Sequence, residues 1–373
     1  MNKRRSWSFV ARAKINLYLQ LLGRRPDNYH ELNTLMQSLE LGDLLVFELC
    51  FCENLSAATL ESYQKLLDLG SCQVYYQESW EVEEGAEDLL RSIQAQPQKS
   101  LTRRCFLLWG EVVLAHFAKA EVLAAFQQLL ALEASETGYL LCHLKIQKQT
   151  PHQAGLGGGS SDAGAFWCFL EEILPSLRLA EAPRLQTLTA LGADVPFAAL
   201  GGTAIAQGLG ERLWGWSPLP AWSCLILKPA FASATQQAFA QYDSALPSKA
   251  ALRQKEQAAQ SLNQQLLNAR QQSELAFFEL LQSKGVNDFL PLIDSDERAL
   301  AYTRQCLSEI CPEAYVQMSG SGSAFYMLWP RRLRDSEQAR LLREIRRQRL
   351  FNGRDYTACW TYLNQGDLAS SLV

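Results

Sequence analysis

A glycine-rich segment near the middle of the chain has the composition of a phosphate-binding loop. Residues 154–165 read AGLGGGSSDAGA, between a predicted strand at 140–149 and a run of apolar residues at helical spacing that Pro175 closes. A glycine loop that leads into a helix offers several backbone N–H donors and the positive end of the helix dipole at one point. We therefore predict that phosphate oxygens bind at Gly155, Leu156, Gly157, Gly158, Gly159, Ser160 and Ser161.

Two familiar nucleotide-binding loops compete with this interpretation. A dinucleotide-binding turn requires G-x-G-x-x-G and an acidic residue about 20 positions later, and Gly155-x-Gly157-x-Gly159 lacks that spacing. A Walker loop requires a lysine before its Ser or Thr, and this stretch contains no lysine. A flexible turn without a ligand is the third alternative, but three consecutive glycines cost conformational entropy with no evident structural return.

Other polar residues stand at positions where they could join such a site. Lys14 and Asn16 are two residues apart on a predicted strand, so their side chains share one face. The turn that follows this strand presents Tyr29 and His30 together, and Asp194 lies in a loop after a helix that ends near Gly192. A second glycine loop, at 318–323, reads MSGSGS.

Composition narrows the classes of protein. The chain has 373 residues, of which 48% are apolar and 20% charged. It is therefore long enough for two domains and apolar enough to give each a hydrophobic core. Its net charge of −4 provides no broad basic field for nucleic acid, and we interpret the arginines around 343–349 as a solvated helix face. Ten scattered cysteines without a C-x-x-C pair predict neither a metal site nor a disulfide scaffold. The longest uncharged run, 195–210, is too short and glycine-rich for a membrane span, so we expect a cytoplasmic protein with no membrane partner.

The pattern along the chain predicts mixed α and β structure. We expect strands at 9–22, 140–149, 203–207, 223–227 and 324–329, and a pair of strands within 32–49 that is broken at Gly42-Asp43. Residues 50–137 indicate helix only in pieces, such as 121–132. A turn-rich segment at 216–220 places a domain boundary near 219, giving domains 1–218 and 219–373.

Four blocks together resemble the GHMP kinases, and in particular the diphosphocytidyl-methylerythritol kinase family among them. The glycine loop carries the GLGGGSSDA form of their phosphate-binding motif. Residues 13–19, AKINLYL, with 27–30, DNYH, resemble the N-terminal signature of that family. Residues 191–196, LGADVP, resemble its catalytic-loop motif, and 318–323 resemble the third GHMP motif, usually MSGSGP.

The resemblance implies a two-domain α+β fold, with a ribosomal-S5-domain-2-like N-terminal domain and a ferredoxin-like C-terminal domain. It implies that ATP phosphorylates the 2-hydroxyl of a cytidine-diphosphate-linked methylerythritol, in the non-mevalonate route to isoprenoids. Mg²⁺ should accompany ATP, because charge on the transferring group has to be offset. The expected partner is this small molecule, with a monomer or weak homodimer as the assembly.

The resemblance also assigns roles to individual residues. Asp194 would take or orient the proton of the attacking hydroxyl, and Lys14 would stabilise the transferring phosphoryl group. The second glycine loop would contribute Ser319, Gly320, Ser321 and Gly322 to the site. The residues implied in substrate binding are Asn16, Tyr29, His30, Thr235 and Phe239. Tyr29 and Phe239 would stack on cytosine while His30 contacts its polar edge. Asn287-Asp288-Phe289 also resembles a family signature, which we interpret as structural.

Two alternatives and some departures stay open. The substrate could be another small alcohol, such as homoserine, mevalonate or a sugar, although none of these has a base to stack. A non-catalytic binding protein on the same fold is a further hypothesis. Asn28 replaces a usual glycine, Gly164 an alanine and Ser323 a proline. Residues 50–139 align with nothing in the family and exceed its usual interval by roughly 40 residues, so we expect a dispensable insertion there.

Overall fold

Two very long antiparallel strands form the centre of the first half of the chain. The computed structural model describes residues 3–82, 90–91, 95–231, 235–244, 248–295 and 299–364. Strand β1 (Lys3–Arg24) pairs along its length with β2 (His30–Cys52). The predicted break at Gly42-Asp43 is wrong, since β2 continues through it with only a register shift opposite Arg12. Glycine fits there because a Cβ at Gly42 would lie 2.5 Å from the carbonyl oxygen of Ala11.

Within the described residues, seven strands form the first sheet. Its order is β3-β4-β5-β2-β6-β7, with β1 paired to β2. Besides the first two strands it contains β3 (Gln64–Asp68), β4 (Cys72–Glu81), β5 (Gly138–Gln147), β6 (Thr203–Gly208) and β7 (Arg212–Trp216). Strands β4 and β5 are parallel, which requires the crossover through the chain between them. The predicted strands at 140–149 and 203–207 are confirmed within a few residues.

Helices cover this sheet and enclose its core. A short helix, α1 (Ala57–Glu61), precedes β3, and the crossover includes α2 (Leu101–His116) and α3 (Lys119–Leu130). The predicted helix after the glycine loop is α4 (Gly158–Ile173), followed by α5 (Glu181–Leu191) and α6 (Val195–Leu200). Phe47, Phe106, Trp109 and Phe166 are almost fully buried in this core.

The interval 50–139 is part of this packing. Val74 and Tyr76 of β4 and Phe106 and Trp109 of α2 belong to the same core as the central strands. Whether the interval arose as an insertion stays a prediction. We revise the expectation that it is dispensable, because removing β4 or α2 would uncover a closed apolar core.

The second half of the chain is built around a four-stranded antiparallel sheet. Strand β8 (Ser223–Pro229) leads to α7 (Thr235–Ser244), α8 (Lys249–Gln272), α9 (Glu274–Lys284), α10 (Leu290–Ile293) and α11 (Leu300–Ile310). Then come β9 (Tyr315–Met318), β10 (Phe325–Trp329), α12 (Asp335–Arg346) and β11 (Tyr356–Tyr362). The order β11-β8-β10-β9, with helices between β8 and β9 and between β10 and β11, is the βαββαβ arrangement of ferredoxin-like domains. The predicted boundary near 219 falls between β7 and β8.

The two halves share an apolar core and several buried hydrogen bonds. Ile15 and Leu17 of β1 pack in one cluster with Trp222 and Phe277 of the second half. The hydroxyl of Tyr326 donates to the carbonyl oxygen of Asn16 at 2.9 Å. Strand β1 is therefore held at the junction, and this fixes the residues that project from it. No helix in the described part of the chain is long and apolar enough to cross a membrane.

Candidate active site

The glycine loop meets the first turn of α4 in the way its composition predicts. Gly157 takes the N-cap position with φ of +70°, a backbone conformation that glycine adopts without strain. Helix α4 spans 16 residues, so its dipole and its free N–H groups converge at Gly158, Gly159 and Ser160. This end of the helix opens into a cavity of about 460 Å³. The geometry suits the oxygens of a polyphosphate.

Lys14 reaches the cavity from β1 and passes directly beside the glycine loop. Its backbone N–H donates to the carbonyl oxygen of Leu156 at 2.9 Å. A Cβ placed on Gly157 would lie 3.0 Å from Lys14 Cε, so glycine at that position leaves room for the lysine. The Nζ atom donates to Asn16 Oδ1 at 2.8 Å, and the Nδ2 of Asn16 donates to Thr34 Oγ1 at 2.9 Å. These contacts hold a nearly buried ammonium group in a fixed position.

Asp194 completes a charged pair with this lysine. It is the residue before α6, and one of its carboxylate oxygens lies 3.3 Å from Lys14 Nζ. The Asp194 side chain is one-third exposed, whereas the Lys14 side chain is 7% exposed, so the carboxylate faces the open side of the pair. A carboxylate that is held by a lysine, and that also lines the cavity, can accept a proton from a bound hydroxyl group.

The second glycine loop, at 318–323, packs against the first one, at 154–165. The hydroxyl of Ser319 donates to the carbonyl oxygen of Gly155 at 2.9 Å. A Cβ on Gly155 would lie 2.1 Å from the carbonyl oxygen of Ser319, and the φ of Gly155 is +74°. No side chain fits between the loops, which explains glycine at that position. Gly320 and Ser321 line the cavity, whereas Ser319 and Gly322 do not.

The cavity brings together residues from distant parts of the chain. Of the residues singled out in the sequence, Lys14, Asn16, Gly155, Leu156, Gly157, Gly158, Gly159, Ser160, Asp194, Thr235, Phe239, Gly320 and Ser321 line it. Ser161 is 2% exposed and is not among the lining residues. Thr235, at the start of α7, has its hydroxyl 2.9 Å from that of Ser321. Helix α7 is thus joined to the second glycine loop beside the cavity.

An aromatic cluster adjoins the cavity at Phe239 and Phe289. Phe239 stacks on His30, with ring centroids 4.6 Å apart and planes 20° apart, and meets Phe289 edge-on at 4.9 Å. Tyr29 is 61% exposed, and neither Tyr29 nor His30 is among the residues that line the cavity. The expected stacking of a base between Tyr29 and Phe239 stays a prediction, since His30 covers Phe239 in this structure.

The three departures from the family pattern have structural explanations. Asn28 has φ of +68°, a left-handed conformation that asparagine tolerates better than most residues. A Cβ on Gly164 would lie 2.7 Å from that of Ala198, so glycine lets α4 and α6 approach closely. Ser323 donates through its hydroxyl to the carbonyl oxygen of Phe231 at 2.8 Å, a bond that proline could not make.

A buried charged group beside the glycine loop was missed in the sequence. Lys148 Nζ contacts the carboxylates of Asp43 and Asp162, the latter at 2.9 Å, and Lys148 lines the cavity. Burial opposes the charge on Lys148, but the two carboxylates outweigh it and raise the pKa of the ammonium group. Burial raises the pKa of Asp162 well above its usual range. The signal available in the sequence was a lysine that directly follows β5 and precedes the glycine loop by a few residues.

Comparisons with known proteins agree with this geometry. The N-terminal domain family of the GHMP kinases matches residues 120–202, so the expectation that nothing in 50–139 aligns with the family is wrong for residues 120–139. A 4-diphosphocytidyl-2-C-methyl-D-erythritol kinase of Pelotomaculum thermopropionicum is 31% identical over 242 residues, which cover 65% of this chain and 66% of that relative, just under two thirds. A crystal structure of 4-(cytidine 5'-diphospho)-2C-methyl-D-erythritol kinase is 23% identical, with a TM-score of 0.53, over 96% of this chain and 100% of the other. The L. major mevalonate kinase, in complex with R-mevalonate, is 12% identical, with a TM-score of 0.58, over 97% of both chains.

Residues 120–202 match the N-terminal domain of the GHMP kinase superfamily, and the fold is similar to that of solved small-molecule kinases. Within that superfamily, its sequence relatives are 4-diphosphocytidyl-2-C-methyl-D-erythritol kinases. The structural likeness to a mevalonate kinase shows that the fold is shared by enzymes with other substrates. The substrate therefore has to be argued from the site.

Proposed function

We propose that this chain transfers the γ-phosphoryl group of ATP to the 2-hydroxyl of 4-diphosphocytidyl-2-C-methyl-D-erythritol, giving the 2-phosphate and ADP. The Lys14–Asp194 pair carries the proposal, because it faces the cavity beside the helix N-terminus that suits phosphates. The carboxylate accepts the hydroxyl proton as the oxygen attacks phosphorus and the bond to ADP breaks. The ammonium group of Lys14 offsets charge on the moving phosphoryl group.

ATP is proposed to lie with its phosphates on the first turn of α4. Gly158 and Gly159 present their N–H groups there, and Ser160 adds a hydroxyl group at the cavity surface. Lys148 lies close to this turn, since a Cβ on Gly158 would be 3.4 Å from its Nζ. A second cation is therefore within reach of a bound polyphosphate.

Magnesium is proposed to enter as part of the nucleotide complex. The described residues contain no group of three or more His, Cys, Asp or Glu side chains that could hold a metal ion. Mg²⁺ commonly keeps several water molecules and binds through substrate phosphates, with only one or two carboxylates from the protein. Asp194 is a carboxylate that lines the cavity. Because it already pairs with Lys14, it would contribute at most one ligand to the ion.

The cytidine group distinguishes this substrate from other alcohols of the superfamily. Phe239 and Thr235 lie on α7 and line the cavity, and His30, which follows Tyr29 in the chain, stacks on Phe239. A cluster with an exposed tyrosine, a phenylalanine and a histidine offers a base both stacking surfaces and polar groups. Homoserine and mevalonate have no planar ring that would use these residues.

The proposal is tested by measuring ADP release with four acceptors. We expect turnover with the cytidine-linked methylerythritol and little or none with homoserine, mevalonate or galactose at equal concentrations. Asp194→Asn serves as the control for contaminating kinases, because it should abolish most of the signal in a protein of the same fold. Turnover of mevalonate or homoserine above that of the cytidine substrate would contradict the proposal.

A further inference from the structure

We propose that Asp243 fixes the tautomer of His30 and thereby makes the site select cytosine over uracil. The inference rests on the proposed function, which places a base at the aromatic cluster. His30 Nε2 lies 2.6 Å from Asp243 Oδ1. Arg24 contributes a guanidinium nitrogen 3.4 Å from the other oxygen of the same carboxylate. The His30 side chain is only 9% exposed, so this contact is sheltered from water.

The Asp243 carboxylate determines which ring nitrogen carries the hydrogen. An ionised carboxylate is only an acceptor, and here one of its oxygens faces Arg24 while the other faces His30. In the neutral imidazole, Nε2 must then carry the hydrogen and donate it to Asp243. Nδ1 is left with its lone pair, and within the described residues it forms no hydrogen bond. The ring therefore offers a ligand one acceptor.

The plane of the imidazole is fixed as well as its tautomer. His30 lies parallel to Phe239 and meets Tyr242 edge-on, with centroids 5.7 Å apart and planes 74° apart. The Tyr242 hydroxyl is held in turn, since it donates to the carbonyl oxygen of Leu21 at 3.1 Å. Because Phe239 lines the cavity, the histidine lies one ring away from the substrate space. A base lying in the imidazole plane can meet Nδ1 with its edge.

Cytosine and uracil differ in what they would present to this acceptor. Cytosine carries an amino group at position 4, a donor, whereas uracil carries a carbonyl oxygen there, an acceptor. The lone pair of Nδ1 accepts a hydrogen bond from the cytosine amino group. Facing uracil, two acceptors would meet and both would lose their hydrogen bonds to water. Asp243 thus acts as a positioning residue, through His30, without contacting the base.

The inference is tested by measuring binding of CDP and UDP by calorimetry, together with the kinetics of the cytidine-linked substrate and its uridine analogue. In Asp243→Asn, the amide can donate to Nε2, so Nδ1 is free to carry the hydrogen. We expect the preference for CDP over UDP to fall at least about tenfold, and KM for ATP to stay unchanged. Asp243→Glu keeps a carboxylate and should restore the preference. Arg24→Met removes the other partner of Asp243, leaves the His30 contact and should retain most of the preference.

The outcomes separate this inference from the proposed function. An unchanged CDP-to-UDP ratio in folded Asp243→Asn, or equal binding of CDP and UDP to the unaltered protein, would overturn the inference. A chain that prefers CDP, loses the preference in Asp243→Asn and yet phosphorylates neither substrate would support the inference and refute the proposed reaction. Thermal unfolding of each variant identifies a general loss of structure, which would lower binding of CDP and UDP alike.

Discussion

The Nζ atom of Lys14 lies between two oxygens, 2.8 Å from Asn16 Oδ1 and 3.3 Å from the carboxylate of Asp194. Asn16 is itself anchored to Thr34, so the lysine is positioned by β1 and β2, while Asp194 comes from the start of α6. The carboxylate is the more exposed member of the pair. A substrate hydroxyl can therefore approach Asp194 without displacing Lys14.

Replacing Asp194 tests proton transfer. Asparagine keeps the size of the side chain but cannot take the hydroxyl proton, so we expect turnover to fall by about 10²- to 10⁴-fold while both substrates still bind. Single-turnover kinetics measure the step directly. Near-normal phosphoryl transfer in a folded Asp194→Asn protein would show that the carboxylate only positions groups, as a loose transition state would permit.

Lys14→Met tests whether the pair acts as one unit. We expect a loss of turnover, because charge on the phosphoryl group is no longer offset and Asp194 loses its partner. In the double variant with Asp194→Asn, the two losses should be clearly less than additive in free energy. A complete double-mutant cycle of kcat measures this coupling. Strict additivity would mean that the two residues act independently.

Gly158→Val tests the phosphate loop. A Cβ there would lie 3.2 Å from Thr150 Cγ2 and 3.4 Å from Lys148 Nζ, and the β-branched side chain would extend over the N–H groups of the first turn. We expect a strong loss of ATP affinity, measured by calorimetry with a non-hydrolysable analogue. Gly159→Ala is the matched control, because its Cβ would meet only Leu101 Cδ1 at an ordinary 3.7 Å. Unchanged ATP affinity in folded Gly158→Val would place the nucleotide elsewhere.

Tyr29→Ala tests stacking on the cytidine group. Tyr29 is 61% exposed, so the fold loses little, but a base would lose one stacking surface. We expect substrate affinity to fall by about 1–3 kcal/mol, the range found for bases stacked on aromatic side chains. ATP affinity should barely change. Tyr302→Ala removes a comparably exposed tyrosine, at 56%, from α11 and should affect neither ligand. Equal losses for both ligands in Tyr29→Ala would indicate a folding defect.

Trp109→Ala tests whether the interval 50–139 belongs to the core. Trp109 is 1% exposed and stacks on Phe106 with centroids 5.9 Å apart. We expect the free energy of unfolding to fall by about 3–5 kcal/mol, as for other large buried aromatics, in chemical denaturation. Trp214→Ala removes a tryptophan that is 49% exposed and should cost much less. A small effect at Trp109 would restore the hypothesis of a dispensable segment.

Local patterns predicted the parts of this molecule that depend on local rules. Helical spacing after Gly159 predicted α4, and alternation predicted the strand that precedes the loop, because period and turn residues act within a few positions. The contact between Gly155 and Ser319 could not be predicted from spacing, since the tertiary fold alone brings the two loops together. The parallel β4–β5 pair was missed for the same reason. Lys148 was missed because local spacing does not show its contacts with Asp43, 105 residues away, and Asp162, 14 residues away on the first turns of α4.

The contact between the two glycine loops has a consequence for the order of events during synthesis. Gly155 and Ala154 depend on Ser319 and Ala324, whose hydroxyl and N–H groups donate to their carbonyl oxygens. A nascent chain that has emerged from the ribosome only as far as residue 318 lacks these partners, even though α4 and both ends of the Lys14–Asp194 pair are already outside. The nucleotide pocket is thus completed late in translation. Messages truncated before this point are expected to yield chains that ATP does not protect from proteolysis.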